Sequence, residues 1–314
     1  MLRKLLFIFI FSTLLVNNAN SKDFSSYVIG DKIENEVNLD KKITIDLSPG
    51  EWEIIEKTKW QWNAFSGKYL GLTKLDKANN EVVEGLSLGF LGTNGKRHAD
   101  VNTFLYESFF TDKHDGCYKR PEYYRLELFH KGATINCLII DHSDTNKELY
   151  NPDDKTLAYL DAKLIRWIED NNIIVPKIML TSNHIIFARS SSQNFYGISH
   201  GINPKYFNGP KNKFITEETS EYHPNNINKY PLHLKFMEKF LSTQSSLHQS
   251  IEDSLKLKGH IRLDLAKYSP KSNKNNTKKD NKNIIDQLNK LNDLYKAGIL
   301  TKEEFEKAKK NILE

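Results

Sequence analysis

The sequence predicts an α+β fold, on three observations. Apolar residues alternate with polar ones in short runs through the first half, and turn residues separate the runs. In the second half the apolar spacing changes to three and four residues, once over a medium stretch and once over a long one. The C-terminus repeats that helical spacing on a small scale, behind a segment with almost no apolar residue. The reading is therefore a β-hairpin-rich N-terminal half, one medium and one long amphipathic helix, and a C-terminal two-helix hairpin.

Residues 1–21 come first. Arg3 and Lys4 precede an apolar run from Leu5 to Val16, and Ala19 and Ser21 supply small residues for cleavage. This is the order of a secretory signal peptide, with cleavage near Ser21. The run is about a dozen residues, against the roughly 20 that span a bilayer, and a retained anchor is the alternative. Export bears on Cys117 and Cys137, the two cysteines of the chain. An even count in an oxidising compartment predicts a disulfide, with two buried thiols as the alternative.

The body, 22–266, opens with Ile43, Ile45 and Leu47 alternating toward Ser48-Pro49-Gly50-Glu51, which reads as a type II turn. Trp52 and Ile54 resume the alternation, so the pair is expected to form a hairpin. Lys68–Lys74 and Val82–Leu91 make a second hairpin about Lys77–Asn80. Tyr123–Phe129 and Thr134–Asp141 make a third about Lys131-Gly132. Leu157, Leu160, Leu164, Trp167 and Ile168 predict a helix opened by Asn151 and Pro152. Lys177–Arg189 reads as two short strands about Ser182-Asn183, followed by a turn-rich segment through Pro210. A long helix starts near Pro231 with Leu232, Phe236, Phe240, Leu247, Ile251 and Leu255 as its stripe. Gly259 is its C′ residue, and Ile261, Leu263 and Leu265 suggest a closing strand.

Residues 267–282 are rich in lysine and asparagine and read as a flexible linker. Of the formal charge of +5, Arg3 and Lys4 supply +2 and this linker +5, while 283–314 balances, which leaves 22–266 at −2. The basic residues thus sit in a tether and not on a folded face, which argues against nucleic acid as a partner. Contact of the linker lysines with an anionic membrane surface is the alternative to a plain spacer.

In 283–314, Leu288, Leu291, Leu294 and Tyr295 share one helix face, followed by Gly298, Ile299 and Leu300. Thr301 and Glu304 form a capping box for a second helix, whose face holds Phe305 and Ile312. The pattern L-x-x-L-x-x-L-Y-x-A-G-I-L-T-x-E-E-F-E-x-x-K, from Leu288 to Lys309, resembles the SHOCT module, a short C-terminal domain of bacterial proteins. The resemblance implies a bacterial envelope protein, exported to the periplasm or beyond. For these residues it implies self-association or docking on an envelope partner, and no chemistry. A unit of this size is also too small to bury a core by itself, so its apolar face needs another surface.

Chemical candidates are few. Gly197, Ser199 and Gly201 spell the G-x-S-x-G string of a hydrolase nucleophile elbow. Before it stands a serine-rich polar stretch, and after it Pro204 and Pro210 oppose the helix an elbow needs, so a turn is the expected reading. Asp253 and His260 are the downstream residues that would complete a triad. The ten histidines show no metal-binding spacing, although Asp112, His114 and Asp115, and Asp141, His142 and Asp144, cluster near the two cysteines. No metal and no cofactor is expected. Trp60 and Trp62 share one face of a strand, with Trp52 nearby; exposed, they would offer a carbohydrate or lipid a stacking platform. The leading expectation is a non-catalytic exported envelope protein that docks through its C-terminal hairpin. A hydrolase using Ser199 and a carbohydrate- or lipid-binding module using the tryptophans are the alternatives.

Overall fold

An eight-stranded antiparallel sheet dominates the described residues, so the fold is mainly β with few helices. The computed structural model describes residues 23–39, 41–62, 65–93, 117–131, 134–145, 157–188, 194–213 and 215–269. In the C-terminal segment it describes 289, 292, 295, 301–302, 304–306 and 309. The signal segment, the linker beyond 269, Asn151-Pro152 and the Asp112–Asp115 cluster fall outside the described residues.

The strands are β1 (Lys32–Ile33), β2 (Glu36–Leu39), β3 (Ile43–Asp46), β4 (Trp52–Trp62), β5 (Phe65–Asp76) and β6 (Glu81–Thr93) in the first half. After them come β7 (Arg125–Lys131), β8 (Thr134–Asp144), β9 (Ile178–Ala188), β10 (Asn194–Ile202) and β11 (Ile261–Asp264). Two helices intervene: α1 (Leu157–Asp170) and α2 (Pro231–Lys258). The large sheet has the order β1-β4-β5-β6-β10-β9-β8-β7. It is two meanders, β4-β5-β6 and β7-β8-β9-β10, joined by antiparallel pairing of β6 with β10.

The hairpins β5–β6 and β7–β8 form where the turn residues predict them. The expected hairpin across Pro49-Gly50 does not. Gly50 has φ 122, a value that favours glycine, and the chain bends there. The turn carries the chain between two sheets: β3 pairs with β2 and, in parallel, with β11, while β4 joins the large sheet. Lys177–Arg189 is likewise one strand, β9, and the segment read as turns after it contains β10, paired along its length to β6 and β9. Its serine and glycines persist in a strand because both neighbours satisfy its backbone.

Alternation gives the large sheet one core face. The three-stranded sheet and the C-terminal half of α2 cover β4, β5, β6 and β10 there, around Trp52, Leu70, Leu72, Leu86, Leu88, Ile198, Leu247 and Ile251. The N-terminal half of α2 and the 203–230 segment cover β8, β9 and β10, around Leu138, Ile140, Leu180, Tyr222, Met237 and Phe240. α2 ends at Gly259 in the left-handed conformation (φ 68), its N–H bonded to the Leu255 carbonyl. The buried side of α2 differs from the apolar stripe read in the sequence. Leu232 is 70% exposed, and His233, Gln244, His248 and Glu252 take inward positions.

On the other face, Cys117 and Cys137 stand at disulfide distance, Cα atoms 5.8 Å apart, in a small cluster with Ile139 and Ile185. α1 meets β4 on this side, where the Trp167 indole donates to Glu53 at 2.9 Å.

Candidate functional site

Ser199 lies in the middle of β10, opposite Ser87 of β6 and Asn183 of β9. Its hydroxyl donates to Asn183 Oδ1 at 2.5 Å. A nucleophile elbow needs a sharp strand-to-helix turn, and here the string is extended backbone inside a sheet. Asp253 bonds Gln249 on α2, and His260 contacts the Lys258 carbonyl beyond it, so neither meets Ser199. What surrounds Ser199 is a polar row: Gly71, Ser87, Ser199 and Asn183 pair in register, with Tyr69 donating to Ser87 at 2.9 Å. All are half-buried except Gly71, which is buried.

Trp52 cannot join a stacking platform. It is fully buried, its indole donating to the Ser48 carbonyl at 3.0 Å. Trp60 and Trp62 occupy the far end of β4, opposite Gly67 and Phe65; their side chains fall outside the described residues. Asp141 caps the His142 N–H at 2.7 Å, and the His142 ring is buried edge-on to His223. Among the described residues no group of three or more His, Cys, Asp or Glu is placed to hold a metal.

The densest polar constellation was not among the sequence candidates. It lies buried between α2 and the core face of the sheet. His184 and Ser182 alternate inward along β9, His200 along β10 and Glu84 along β6; Gln244, His248 and Glu252 face them from successive turns of α2. Their distances define one chain of bonds. His248 Nδ1 stands 3.2 Å from His184 Nδ1, and His184 Nε2 stands 3.2 Å from Ser182 Oγ. Ser182 Oγ donates to Gln244 Oε1 at 2.8 Å, and Gln244 Nε2 lies 3.3 Å from His200 Nδ1. His200 Nε2 points at Glu84 Oε2 from 3.8 Å, too long for a full hydrogen bond.

Hydrogen-bond bookkeeping orients this chain. The amide of Gln244 only donates through nitrogen, so His200 accepts at Nδ1 and carries its proton on Nε2, toward Glu84. Ser182 has one proton and gives it to Gln244, so it accepts from His184 Nε2–H. His184 Nδ1 is then an acceptor and His248 Nδ1 the donor. In this arrangement the donors run from α2 to Glu84.

Glu84 is the one charge at the end of the chain. Burial alone would raise its carboxyl, but His200 and Lys74 outweigh burial and hold it below the usual carboxylate range. Lys74 donates to it at 3.2 Å, Ser48 at 3.0 Å and Ser269 at 3.3 Å. Burial, followed by the neighbouring His248, pushes His184 well below the ordinary imidazole range. Beside this chain, Asn136 of β8 donates to Glu252, whose other oxygen meets Lys256 at 3.4 Å. The signal was present in the sequence: Ser182 and His184 interrupt the inward positions of an apolar strand, and Gln244, His248 and Glu252 recur every four residues on a helix. Enclosed in this way, the constellation meets no solute and serves to fix α2 on the sheet.

At the C-terminus, Asn289, Asn292 and Tyr295, and Lys302, Glu304, Phe305, Glu306 and Lys309, have helical backbone. The capping box is complete. Glu304 Oε2 accepts from the Thr301 N–H at 3.0 Å, and Thr301 Oγ1 accepts from the Glu304 N–H at 3.3 Å. The Tyr295 and Phe305 rings stack with centroids 4.8 Å apart. Leu288, Leu291, Leu294, Ile299, Leu300 and Ile312 fall outside the described residues. The model of the SHOCT family, the short C-terminal domain, matches residues 286–313. This segment is a SHOCT domain. Among the curated proteins and among the solved structures, none matches the chain.

Proposed function

We propose that this is a non-catalytic exported protein of the bacterial envelope, whose SHOCT domain folds as a two-helix hairpin and docks on a second copy or an envelope partner. The observation that carries the reading is the SHOCT match at 286–313, beyond a lysine- and asparagine-rich segment. A long polar tether raises local concentration while leaving orientation free. The Tyr295–Phe305 stack supports a hairpin, and Tyr295 remains 37% exposed, as expected of a face awaiting a partner. The signal-peptide pattern and the Cys117–Cys137 pair both favour an oxidising compartment.

Light scattering on the full chain and on a chain ending at Lys282 tests this reading. The full chain should form a higher mass species, alone or with envelope extract, that the shortened chain does not. Equal masses under both conditions would remove the docking role. N-terminal sequencing of the protein from envelope fractions should begin at Lys22.

One observation favours a second reading, a carbohydrate-binding role for the sheet face bearing Ser199. Hydroxyls and an amide (Tyr69, Ser87, Ser199, Asn183) stand in one half-exposed row, and an added Cβ at Gly85 would meet open space. Retention on immobilised peptidoglycan, abolished by Gly85→Trp, would establish it. As a hydrolase the chain would have to react with a fluorophosphonate at Ser199; we expect no labelling.

A further inference from the structure

Among the described residues, His142, His184, His200, His223, His233 and His248 are buried where α2 and the 203–230 segment meet the sheet. Five of them take part in covering the core face through ring contacts with other histidines, Tyr222 or Phe129. We propose that the His184–His248 contact is an acid-sensitive latch, which holds α2 and the root of the C-terminal tail on the sheet at neutral pH and releases them on acidification. The latch stands apart from the docking reading and does not depend on what the SHOCT domain meets.

The contact works with one proton between two nitrogens. At 3.2 Å, His248 Nδ1–H donates to the lone pair of His184 Nδ1. Protonating His184 places an N–H on that lone pair, opposite the N–H of His248. A first proton can settle on His248 Nε2 and leave this N–H···N bond in place, at the cost of a buried imidazolium; a second, on His184 Nδ1, sets N–H against N–H and breaks the contact. The rings stack at 5.4 Å and 23°, with 1% and 2% exposure, so water cannot screen the charges.

The surrounding charges do not offset this. His200, on β10, is another imidazole on the same chain of bonds. Glu84, on β6, is held by Lys74, Ser48 and Ser269 on the far side of His200. Glu252, on α2, is engaged by Asn136 and Lys256. On β7, Glu127 pairs with Arg125 at 3.1 Å, and Phe129 stacks on His248.

The same bonds reach the tail. Gln244 Nε2 donates both to His200 and, at 3.4 Å, to the Tyr268 carbonyl. Ser250 bonds the Tyr268 hydroxyl, and Ser269 bonds Glu84. Tyr268 and Ser269 lie at the start of the segment read as linker, and they are its last described residues. His184 Nε2–H donates to Ser182 in either protonation state, so the tail is released by the departure of α2 itself, which carries Gln244 away from Ser182, His200 and Tyr268.

Amide hydrogen exchange on the full chain, corrected for intrinsic rates, tests the latch. Between about pH 7.5 and about pH 5, protection across Gln244–Ile251 and at Tyr268–Ser269 should fall about tenfold or more, while β5 and β6 stay protected. His248→Asn keeps a donor toward His184 and does not titrate, so it should move the loss to lower pH. Unchanged protection, loss spread evenly over the sheet, or the same midpoint in His248→Asn would overturn the proposal. If that variant does not fold at neutral pH, imidazole NMR titration of the unsubstituted chain decides. Proton uptake by His184 or His248 together with the release supports the latch, and release without uptake overturns it.

Discussion

At the level of single residues, Gln244 is the point on which the buried chain of bonds turns. It accepts from Ser182 and donates to His200 and Tyr268, and no water can replace it at 0% exposure. Gln244→Leu strands those partners, and leaving a buried polar group unpaired costs about 1–3 kcal/mol. We expect a loss of about 3 kcal/mol, read by urea unfolding at neutral pH. The pH profile follows from the same residues. His184 in the folded chain binds a proton well below the ordinary imidazole value of about 6.5, so the unfolded chain is protonated first as pH falls. This contribution to stability is fully present above about pH 6.5 and is lost below it. Glu84, also depressed, adds a second loss only as pH falls below the ordinary Glu range, about 4.3. Urea midpoints should therefore decline in two stages on acidification. A profile flat from about pH 7.5 to about pH 5 would contradict the assignment of His184 as a buried neutral base.

For the secondary-structure elements, what could be read in the sequence depended on whether neighbours in the chain are also neighbours in space. β5–β6, β7–β8 and α2 with its Gly259 stop are local, and residue spacing announced them. The pairing of β3 was only half local. It pairs with the adjacent β2, but its other partner lies more than two hundred residues on, and no turn signal can specify that. β10 was hidden for another reason: its glycines and serine lower strand propensity, and burial between β6 and β9 overrides that preference. The buried constellation left only a weak trace, polar residues at inward positions of one strand and one helix, because its members come together from distant parts of the chain. The SHOCT match was legible because its pattern is compact. Gly259→Ala should cost about 1 kcal/mol, because its φ of 68 strains any residue with a Cβ; a thermal melt of the variant checks this.

For the molecule as a whole, the Cys117–Cys137 link spans 20 residues and ties the entry of β7 to the interior of β8. Closing a loop of that size should contribute about 3 kcal/mol in the chain-entropy model. Denaturation with and without reductant should show that difference, and equal midpoints would refute it. The three-stranded sheet carries a different consequence. β11 is an edge strand of that sheet, parallel to β3, with Arg262 bridging Glu36 at 3.0 Å and Asp46 at 3.1 Å. A polypeptide emerging N-terminus first thus exposes Leu39, Ile43 and Ile45 until nearly the whole body has been delivered. The three-stranded sheet can therefore close only once β11 has been made, so it forms late on any route to the folded body.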